Sequence, residues 1–482
     1  MKKEFFTSRW ALILSTLGIA VGTGNIWRFS RIVAQNEGGT FLIPWIVFLF
    51  LWSLPLIIAE FAIGKFTRCS PLFAIPKLAG NKFLWMGGFI SFVSTAIMFY
   101  YSVITGWCFH YLSMSLSGRL FEQSDYNLLW QTFSQSYQPV IYQMLAILAG
   151  ALIIFRGIVK GIEVVSKVLV SSLIIILVFL ALKAVSLPNA IAGLEFFFEP
   201  NFAKLLDYKI WLAALTQNAW DTGAGWGLIL TYAVYLRNKD DIALNASILG
   251  FGNNSISLLA GIIIFSTTFA LSEVNPLASI SSSGPANTGM TFIIFPQLFS
   301  KISTSHFLNS LFAVGFFLAL SMAAFTSLLS MIELASQGLS EIGIDKNKSI
   351  FFISVLAILL GIPSALNTDF LINQDWVWGV ALILSGGFIS FSIIKFGVEK
   401  FRIEVINSSS DFKVGKIYSF LIKYLIPLQV VVLLIWWLYS SVNWDSEWYN
   451  PFHRENAGTC IFQWLIVLVG LFIFNRIYIK KT

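Results

Sequence analysis

Charged residues are scarce in this chain: they make up 11% of its 482 residues, whereas soluble domains average about 25%. Cysteine and histidine are scarcer still, with three of each. The cysteines, Cys69, Cys108 and Cys460, have neither a metal-binding nor a disulfide-framework spacing, so they are interpreted as small buried hydrophobes. No His/Cys cluster, no nucleophile beside a base and no repeated pore-loop signature is found, which argues against an enzyme and against a channel.

Hydrophobic residues dominate instead, at 57% of the chain, with 46 Phe and 17 Trp. Apolar stretches of about 20 residues indicate membrane-spanning helices. We place twelve of them, over 10–35, 40–64, 84–116, 139–155, 163–184, 210–236, 243–270, 307–334, 349–365, 375–397, 416–441 and 459–478. The sequence therefore predicts an all-α polytopic protein of the lipid bilayer, with a single transmembrane domain over 1–482.

The topology follows from the positive charges. Twelve spans place both termini on one side, and that side carries most of the 31 Lys and Arg residues. The positive-inside rule assigns this side to the cytoplasm, so residues 1–9 are a predicted cytoplasmic N-terminus. The net charge of +7 is explained by topology and requires no nucleic-acid partner. Short termini favour a bacterial inner (plasma) membrane.

Two predicted spans contain residues that interrupt a helix at mid-depth. The first holds GIAVGTGN (18–25) and the sixth holds DTGAGWG (221–227). Each glycine costs about 1 kcal/mol relative to alanine inside a helix, and Asn25 or Asp221 in the bilayer needs a partner. Broken helices of this kind hold substrate and coupling ions near the midplane of secondary transporters.

The two interruptions lie five spans apart, which is typical of inverted five-helix repeats. We expect helices 1–5 to form a first repeat over 10–184 and helices 6–10 a second over 210–397. Two further helices, over 416–478, are appended. The polar segments 117–138 and 271–305 are predicted to be structured external loops.

Longer motifs carry a family resemblance. The run GIAVGTGNIWRF (18–29), then NEGGTFLIP (36–44), then Pro55-Leu56 and Glu60, closely resembles the opening signature of the neurotransmitter:sodium symporters. The similarity continues to the eighth span and covers essentially the whole chain. It implies a LeuT-type fold and sodium-driven uptake of an amino acid or related amine by alternating access. Sodium would be a co-transported ligand, with no other cofactor.

The resemblance also implies site residues, and oxygen ligands from unwound helices suit a hard cation. The first sodium site would use Ala20, Asn25, Asp221 and Asn253, and the second Gly18, Val21, Ala323, Thr326 and Ser327. The substrate pocket would be lined by Ala20, Gly22, Thr23, Gly24, Ile97, Tyr101, Trp220, Asp221, Gly223, Trp226, Ser327 and Met331. An outer gate would pair Arg28 with Asp375, and an inner gate would involve Lys3, Phe6, Tyr235 and Glu341.

Asp221 departs from the family pattern, which usually has Thr or Ser at this position. In chloride-dependent members an adjacent anion site uses a Tyr, a Gln and two hydroxyls. Here Trp45 replaces the Tyr, Gln217 is kept, and Ser257 supplies one hydroxyl. We hypothesise that Asp221 supplies the negative charge that chloride provides elsewhere, because two sodium ions in a low-dielectric interior need compensation. The alternative is a protonated, merely hydrogen-bonded Asp221.

A second interpretation of Asp221 concerns the substrate. A protein carboxylate at the first sodium site would allow a decarboxylated amine or osmolyte, with Asp221 as its counter-ion. Amine-selective relatives, however, carry Asp at the position of Gly22, which stays Gly here. A small zwitterionic amino acid is therefore favoured, and its side chain is not predicted.

Overall fold

The structure is a computed structural model that describes residues 4–122, 125–272, 275–281, 288–408, 410 and 412–481. Regular structure in these residues is helical throughout, without a strand. The helices of the first half are α1 (Arg9–Ala20), α2 (Trp27–Gln35), α3 (Gly39–Thr67), α4 (Pro71–Ala79), α5 (Asn81–Leu116), α6 (Tyr126–Ser134), α7 (Gln138–Ile154), α8 (Ile158–Val185) and α9 (Ala190–Phe198).

The second half is equally helical. It comprises α10 (Tyr208–Asp221), α11 (Leu228–Ala233), α12 (Ile242–Leu271), α13 (Pro276–Ser281), α14 (Met290–Phe299), α15 (His306–Glu341), α16 (Lys346–Leu366), α17 (Thr368–Phe396), α18 (Val398–Lys400), α19 (Lys416–Trp444) and α20 (Ala457–Lys481).

Twelve spans can be counted in the described part of the chain. Nine helices are individually long and apolar enough to cross a bilayer: α3, α5, α8, α12, α15, α16, α17, α19 and α20. The first span is the bent pair α1–α2, the fourth is α7, and the sixth is the pair α10–α11. The predicted all-α, twelve-helix architecture is thus confirmed, whereas the boundaries of the two repeats stay a prediction.

Both predicted breaks occur. The axes of α1 and α2 differ by 69°, and between them Val21 and Gly22 are extended before a single turn over Thr23–Asn25. In the sixth span the chain leaves the helix at Asp221 and re-enters it at Leu228. The three glycines of 221–227 have φ of +67°, +90° and +77°, a region that glycine adopts without steric strain.

Glu60 on α3 compensates for the break in the sixth span. Its fully buried carboxylate accepts hydrogen bonds from the backbone N–H groups of Gly225, at 2.6 Å, and Leu230, at 3.0 Å. Gly225 lies in the break and Leu230 in the first turn of α11, where backbone N–H groups have no intrahelical partner. A negative charge is also favourable beside a helix N-terminus. Glu60 therefore fixes the place where the second half of the span begins.

The predicted external loops contain helices of their own. Segment 117–138 holds α6, which is bent by 71° from α7, and segment 271–305 holds α13 and α14. Phe292 on α14 packs its ring against Trp27 and Tyr111, with centroids 6.0 and 4.8 Å apart, and so covers the start of α2 and the last turns of α5. Residues 282–287, in the Ser- and Gly-rich part of segment 271–305, lie outside the described residues.

Candidate functional site

A cavity lies at the level of the two breaks, between the first, third, sixth, eighth and tenth spans. All twelve residues that were predicted to contact substrate line this cavity: Ala20, Gly22, Thr23, Gly24, Ile97, Tyr101, Trp220, Asp221, Gly223, Trp226, Ser327 and Met331. Arg28 and Asp375 line it as well. Ile19, Ile104 and Leu228 are lining residues that were not predicted.

Backbone oxygens converge on one hydroxyl at the predicted second sodium site. The Oγ atom of Ser327 lies 3.2–3.4 Å from the carbonyl oxygens of Gly18, Ile19, Val21 and Ala323. A hydroxyl carries one proton, so Ser327 can donate to only one of these carbonyl oxygens, and the others lie close to its lone pairs. Such an all-oxygen cluster suits a hard cation. The Ile19 carbonyl was missed in the sequence.

Thr326 lies beside this cluster on the same turn of α15. Its hydroxyl oxygen lies 3.0 Å from the carbonyl oxygen of Met322 and 3.1 Å from that of Ala323, within its own helix, and its single proton is shared between these two acceptors. The Oγ1 atom thus shares the Ala323 carbonyl with Ser327. The arrangement leaves the lone pairs of this oxygen available to an ion, because donation occupies only its proton.

The predicted first sodium site is assembled around Asn253 on α12. One terminal atom of its side-chain amide lies 3.2 Å from the carbonyl oxygens of both Ala20 and Asp221. If this atom is the amide oxygen, three oxygens converge, as a cation requires. If the amide is turned so that this atom is the nitrogen, its N–H groups donate to the two carbonyl oxygens. Asn25 lies alongside, its Oδ1 accepting from the Gly22 N–H at 2.8 Å and its Nδ2 donating to Ser257 at 2.9 Å.

Asp221 places a carboxylate directly at this first site. Only 5% of the residue is exposed, and Oδ2 accepts from the Ser257 hydroxyl at 3.2 Å. Within the described chain, Oδ1 has no hydrogen bond of ordinary geometry, although the side-chain amide of Gln217 one turn earlier interacts with this carboxylate. A buried carboxylate without compensation is strongly unfavourable, so this group requires a cation or a proton.

The break in the first span also exposes donors to the cavity. The backbone N–H and the hydroxyl of Thr23 point at the Tyr101 hydroxyl oxygen, at 3.3 and 3.4 Å. A Cβ on Gly22 would lie 3.0 Å from that oxygen and 3.2 Å from Ser327 Oγ, so the close approach favours glycine. The Thr23 donors and the tyrosine hydroxyl, which contact each other here, are groups suited to a carboxylate that enters between them.

A cation–π contact lies at one end of the cavity, between two residues that line it. The guanidinium carbon of Arg28 lies 4.0 Å from the centroid of the Trp220 ring. Among the described residues, no Arg28–Asp375 ion pair is found within 4.0 Å, although both line the same cavity. Arg28 and Asp375 therefore line the same cavity without forming an ion pair, Arg28 is stacked on the Trp220 ring, and the outer gate stays a prediction.

The predicted inner gate is only partly described, because Lys3 lies outside the described residues. The Phe6 N–H donates to the Tyr235 carbonyl oxygen at 3.2 Å, and Glu341 accepts from the Ser70 N–H at 2.7 Å. The Tyr235 hydroxyl contacts Glu333, which the sequence reasoning missed. A carboxylate within an apolar span was the signal that could have identified it.

These features are typical of one class of protein: a secondary transporter with two broken helices and clusters of oxygen atoms beside a cavity. The model of the sodium:neurotransmitter symporter family matches residues 3–139 and 129–481. The chain belongs to this family. It is therefore a multi-pass membrane transporter and not an enzyme, and sodium is its co-transported ion.

Individual relatives agree with this assignment. The chain is 32% identical over 457 residues to an uncharacterized sodium-dependent transporter of Methanocaldococcus jannaschii, covering 90% of each chain. It is 26% identical to the sodium-dependent serotonin transporter of Drosophila melanogaster, covering 99% of this chain and 83% of that one. The crystal structure of MhsT in complex with L-phenylalanine is similar with a TM-score of 0.77 and 27% identity, covering 90% of this chain and 99% of that one.

Proposed function

We propose that this symporter imports a small zwitterionic amino acid with sodium, and that transport is chloride-independent because Asp221 supplies a fixed negative charge. The observation that carries the proposal is the Asp221 carboxylate itself, buried at the first ion site with one oxygen that lacks a hydrogen bond of ordinary geometry in the described chain. A sodium ion about 4 Å from a carboxylate is attracted by roughly 4 kcal/mol at an effective dielectric constant of 20.

The zwitterionic substrate is supported by two kinds of polar group that line the cavity, hydrogen-bond donors and carbonyl oxygens. Thr23 and Tyr101 offer donors for a substrate carboxylate, next to the carbonyl-rich breaks that suit an ammonium group. Ile97, Trp226 and Met331 supply apolar lining for a neutral side chain. The similar transporter MhsT binds L-phenylalanine in its crystal structure, which is consistent with this substrate class.

The remaining assignments belong to the same proposal. The first sodium ion binds Ala20, Asn25, Asp221 and Asn253, and the second binds Gly18, Val21, Ala323, Thr326 and Ser327. Arg28 and Asp375 act at the outer gate, opposite an inner gate near Tyr235. Both termini face the cytoplasm in the plasma membrane, as the distribution of Lys and Arg supports.

A second candidate function has an observation in its favour. The Oδ1 atom of Asp221, which lacks a hydrogen bond of ordinary geometry in the described chain, belongs to a residue that lines the substrate cavity, where it would suit the cationic group of a decarboxylated amine or osmolyte. Asp221 would then be the counter-ion of the substrate rather than of sodium. The two functions differ in whether a substrate carboxylate is needed.

The test is thermal stabilisation of the purified protein by amino acids and by matched amines, in sodium chloride, potassium chloride and sodium gluconate. We expect an amino acid to stabilise it in both sodium salts and not in potassium. In D221S, which restores the hydroxyl usual in the family, stabilisation should come to need chloride. In D221S/S257E it should no longer need chloride, because the glutamate again supplies a fixed negative charge beside the first sodium site. Loss of wild-type stabilisation in gluconate would refute chloride independence, and stabilisation only by amines would favour the second function.

A further inference from the structure

A second cavity, of about 260 Å³, lies between the end of α5, helix α6 and the start of α7. Its lining includes His110 on α5, Arg119 in the turn after α5, Thr132 and Phe133 on α6, and Gln138 on α7. Among the described residues, it shares no lining residue with the substrate cavity, and no Asp or Glu lines it. The cavity therefore offers positive charge and hydrogen-bond donors without a carboxylate.

His110 is held firmly at this cavity, but its ring lacks a hydrogen bond. The imidazole stacks on the Phe133 ring, with centroids 3.9 Å and planes 6° apart, and meets the Tyr142 ring edge-on at 5.0 Å. The residue is only 7% exposed, yet its Nδ1 atom has no hydrogen-bond partner in the described chain. Buried polar atoms are hydrogen-bonded in the great majority of cases, because an unbonded one costs free energy. A ligand in the cavity would supply the missing bond.

Arg119 supplies a fixed positive charge to the same cavity. Its side chain is exposed, and within the part of the chain that the structure describes no ion pair of its guanidinium is found. Arg119 follows the C-terminus of α5, where a cation is favourable, and Gln138 opens α7, whose N-terminus favours an anion. A guanidinium presents two parallel N–H groups that fit a carboxylate or a phosphate. These charges favour an oxyanion and disfavour a cation.

The helices around this cavity also carry side chains suited to lipid. Leu128, Tyr137 and Ile141 each adjoin a lining residue in the sequence, and they are 56%, 77% and 54% exposed. Tyrosine beside exposed apolar residues at the end of a span is typical of the level of the lipid head groups. An oxyanion at this place can therefore come from two sources, a small solute or the phosphate of a lipid head group.

We propose that this cavity binds an oxyanion, a carboxylate or phosphate group, through the Arg119 guanidinium and the unpartnered ring nitrogen of His110. Thr132 and Gln138 add neutral donors from the two neighbouring helices. Because the lining comes from three helices and the turn between them, a bound oxyanion ties α6 and α7 to the end of α5. Its binding therefore slows the local opening of α6.

The test is hydrogen–deuterium exchange of the purified full chain in two arms. In delipidated micelles, potassium phosphate or potassium acetate is titrated at constant sodium chloride, with potassium chloride holding the ionic strength. In nanodiscs, phosphatidylglycerol is titrated into phosphatidylcholine. At ten times the half-saturating concentration, amides in 126–134 should exchange about tenfold more slowly, because opening must first release the ligand.

Two variants test the assigned residues. R119Q removes the charge, so it should raise the half-saturating concentration about 10- to 100-fold, as the loss of a charge-assisted hydrogen bond predicts. H110F keeps an aromatic ring stacked on Phe133 and removes both ring nitrogens, so it should raise this concentration about 2- to 10-fold. A matched control is R454Q, which removes the same charge from another loop, where Arg454 pairs with Asp369. It should keep the wild-type value.

The two arms separate the sources of the oxyanion. Protection by phosphate or acetate supports a soluble ligand, and protection by phosphatidylglycerol alone supports the phosphate of a lipid head group. Absence of protection in both arms would overturn the site. An unchanged half-saturating concentration in R119Q would also overturn it, and so would equal losses in R119Q and R454Q, because these would show a general effect of net charge.

Discussion

The convergence of four carbonyl oxygens on Ser327 makes the proposed second sodium site the sharpest place to perturb this transporter. The variant S327A removes the Oγ atom at the centre of the cluster. This atom lies 3.2–3.4 Å from each of the four carbonyl oxygens. An interaction of a polar group with a charge contributes about 1.5–3 kcal/mol, and each 1.4 kcal/mol is tenfold in affinity. We therefore expect the sodium concentration that half-stabilises the protein to rise by about 10- to 100-fold.

Ser330 provides a matched control on the same helix. It is equally buried, but its hydroxyl only donates back to the Ser327 carbonyl oxygen at 2.7 Å. The assay is the melting temperature measured over a sodium series at constant ionic strength, with potassium as the replacement ion. S330A should keep the wild-type sodium midpoint. Equal midpoints for S327A and S330A, or a shift below threefold in S327A, would show that the converging carbonyls do not bind sodium.

Three further perturbations test the surrounding structure. E60Q replaces one of two acceptors at the start of α11, so it should destabilise the protein by about 1.5–3 kcal/mol, seen as a lower melting temperature with or without sodium. W220L removes the cation–π contact of Arg28, worth about 0.5–2 kcal/mol, and should speed substrate dissociation about 2- to 30-fold in a radioligand wash-out; an unchanged rate would argue against an outer lid. In the loop after α19, the hydrogen bond to Asp445 raises the pKa of His453, assisted by the negative charges nearby. This contribution to stability is complete below the unfolded-state pKa of about 6.5 and is lost as the pH rises through the raised folded value. The melting temperature of the wild type should therefore decline as the pH rises above about 6.5, and the decline should be smaller in H453Q.

The predictions that succeeded from the sequence are those that depend on composition along the chain. Apolar stretches of bilayer length located the twelve spans, because a membrane helix must satisfy its own backbone hydrogen bonds and face lipid. The glycine-rich runs 18–25 and 221–227 located both breaks, since they weaken a helix wherever it lies. The family motifs then supplied substrate residues that line one cavity in the structure.

The sequence by itself thus determined a twelve-span helical transporter with breaks in its first and sixth spans. Only the tertiary structure decided which groups meet there. The Ile19 carbonyl reaches Ser327 across 308 residues, Glu60 finds amides 165 and 170 residues away, and Glu333 meets Tyr235. The physical reason is that every residue carries the same carbonyl and amide. Which of these backbone groups face the cavity depends on the 69° bend between α1 and α2 and on helix packing. The amino-acid sequence does not show either of these directly.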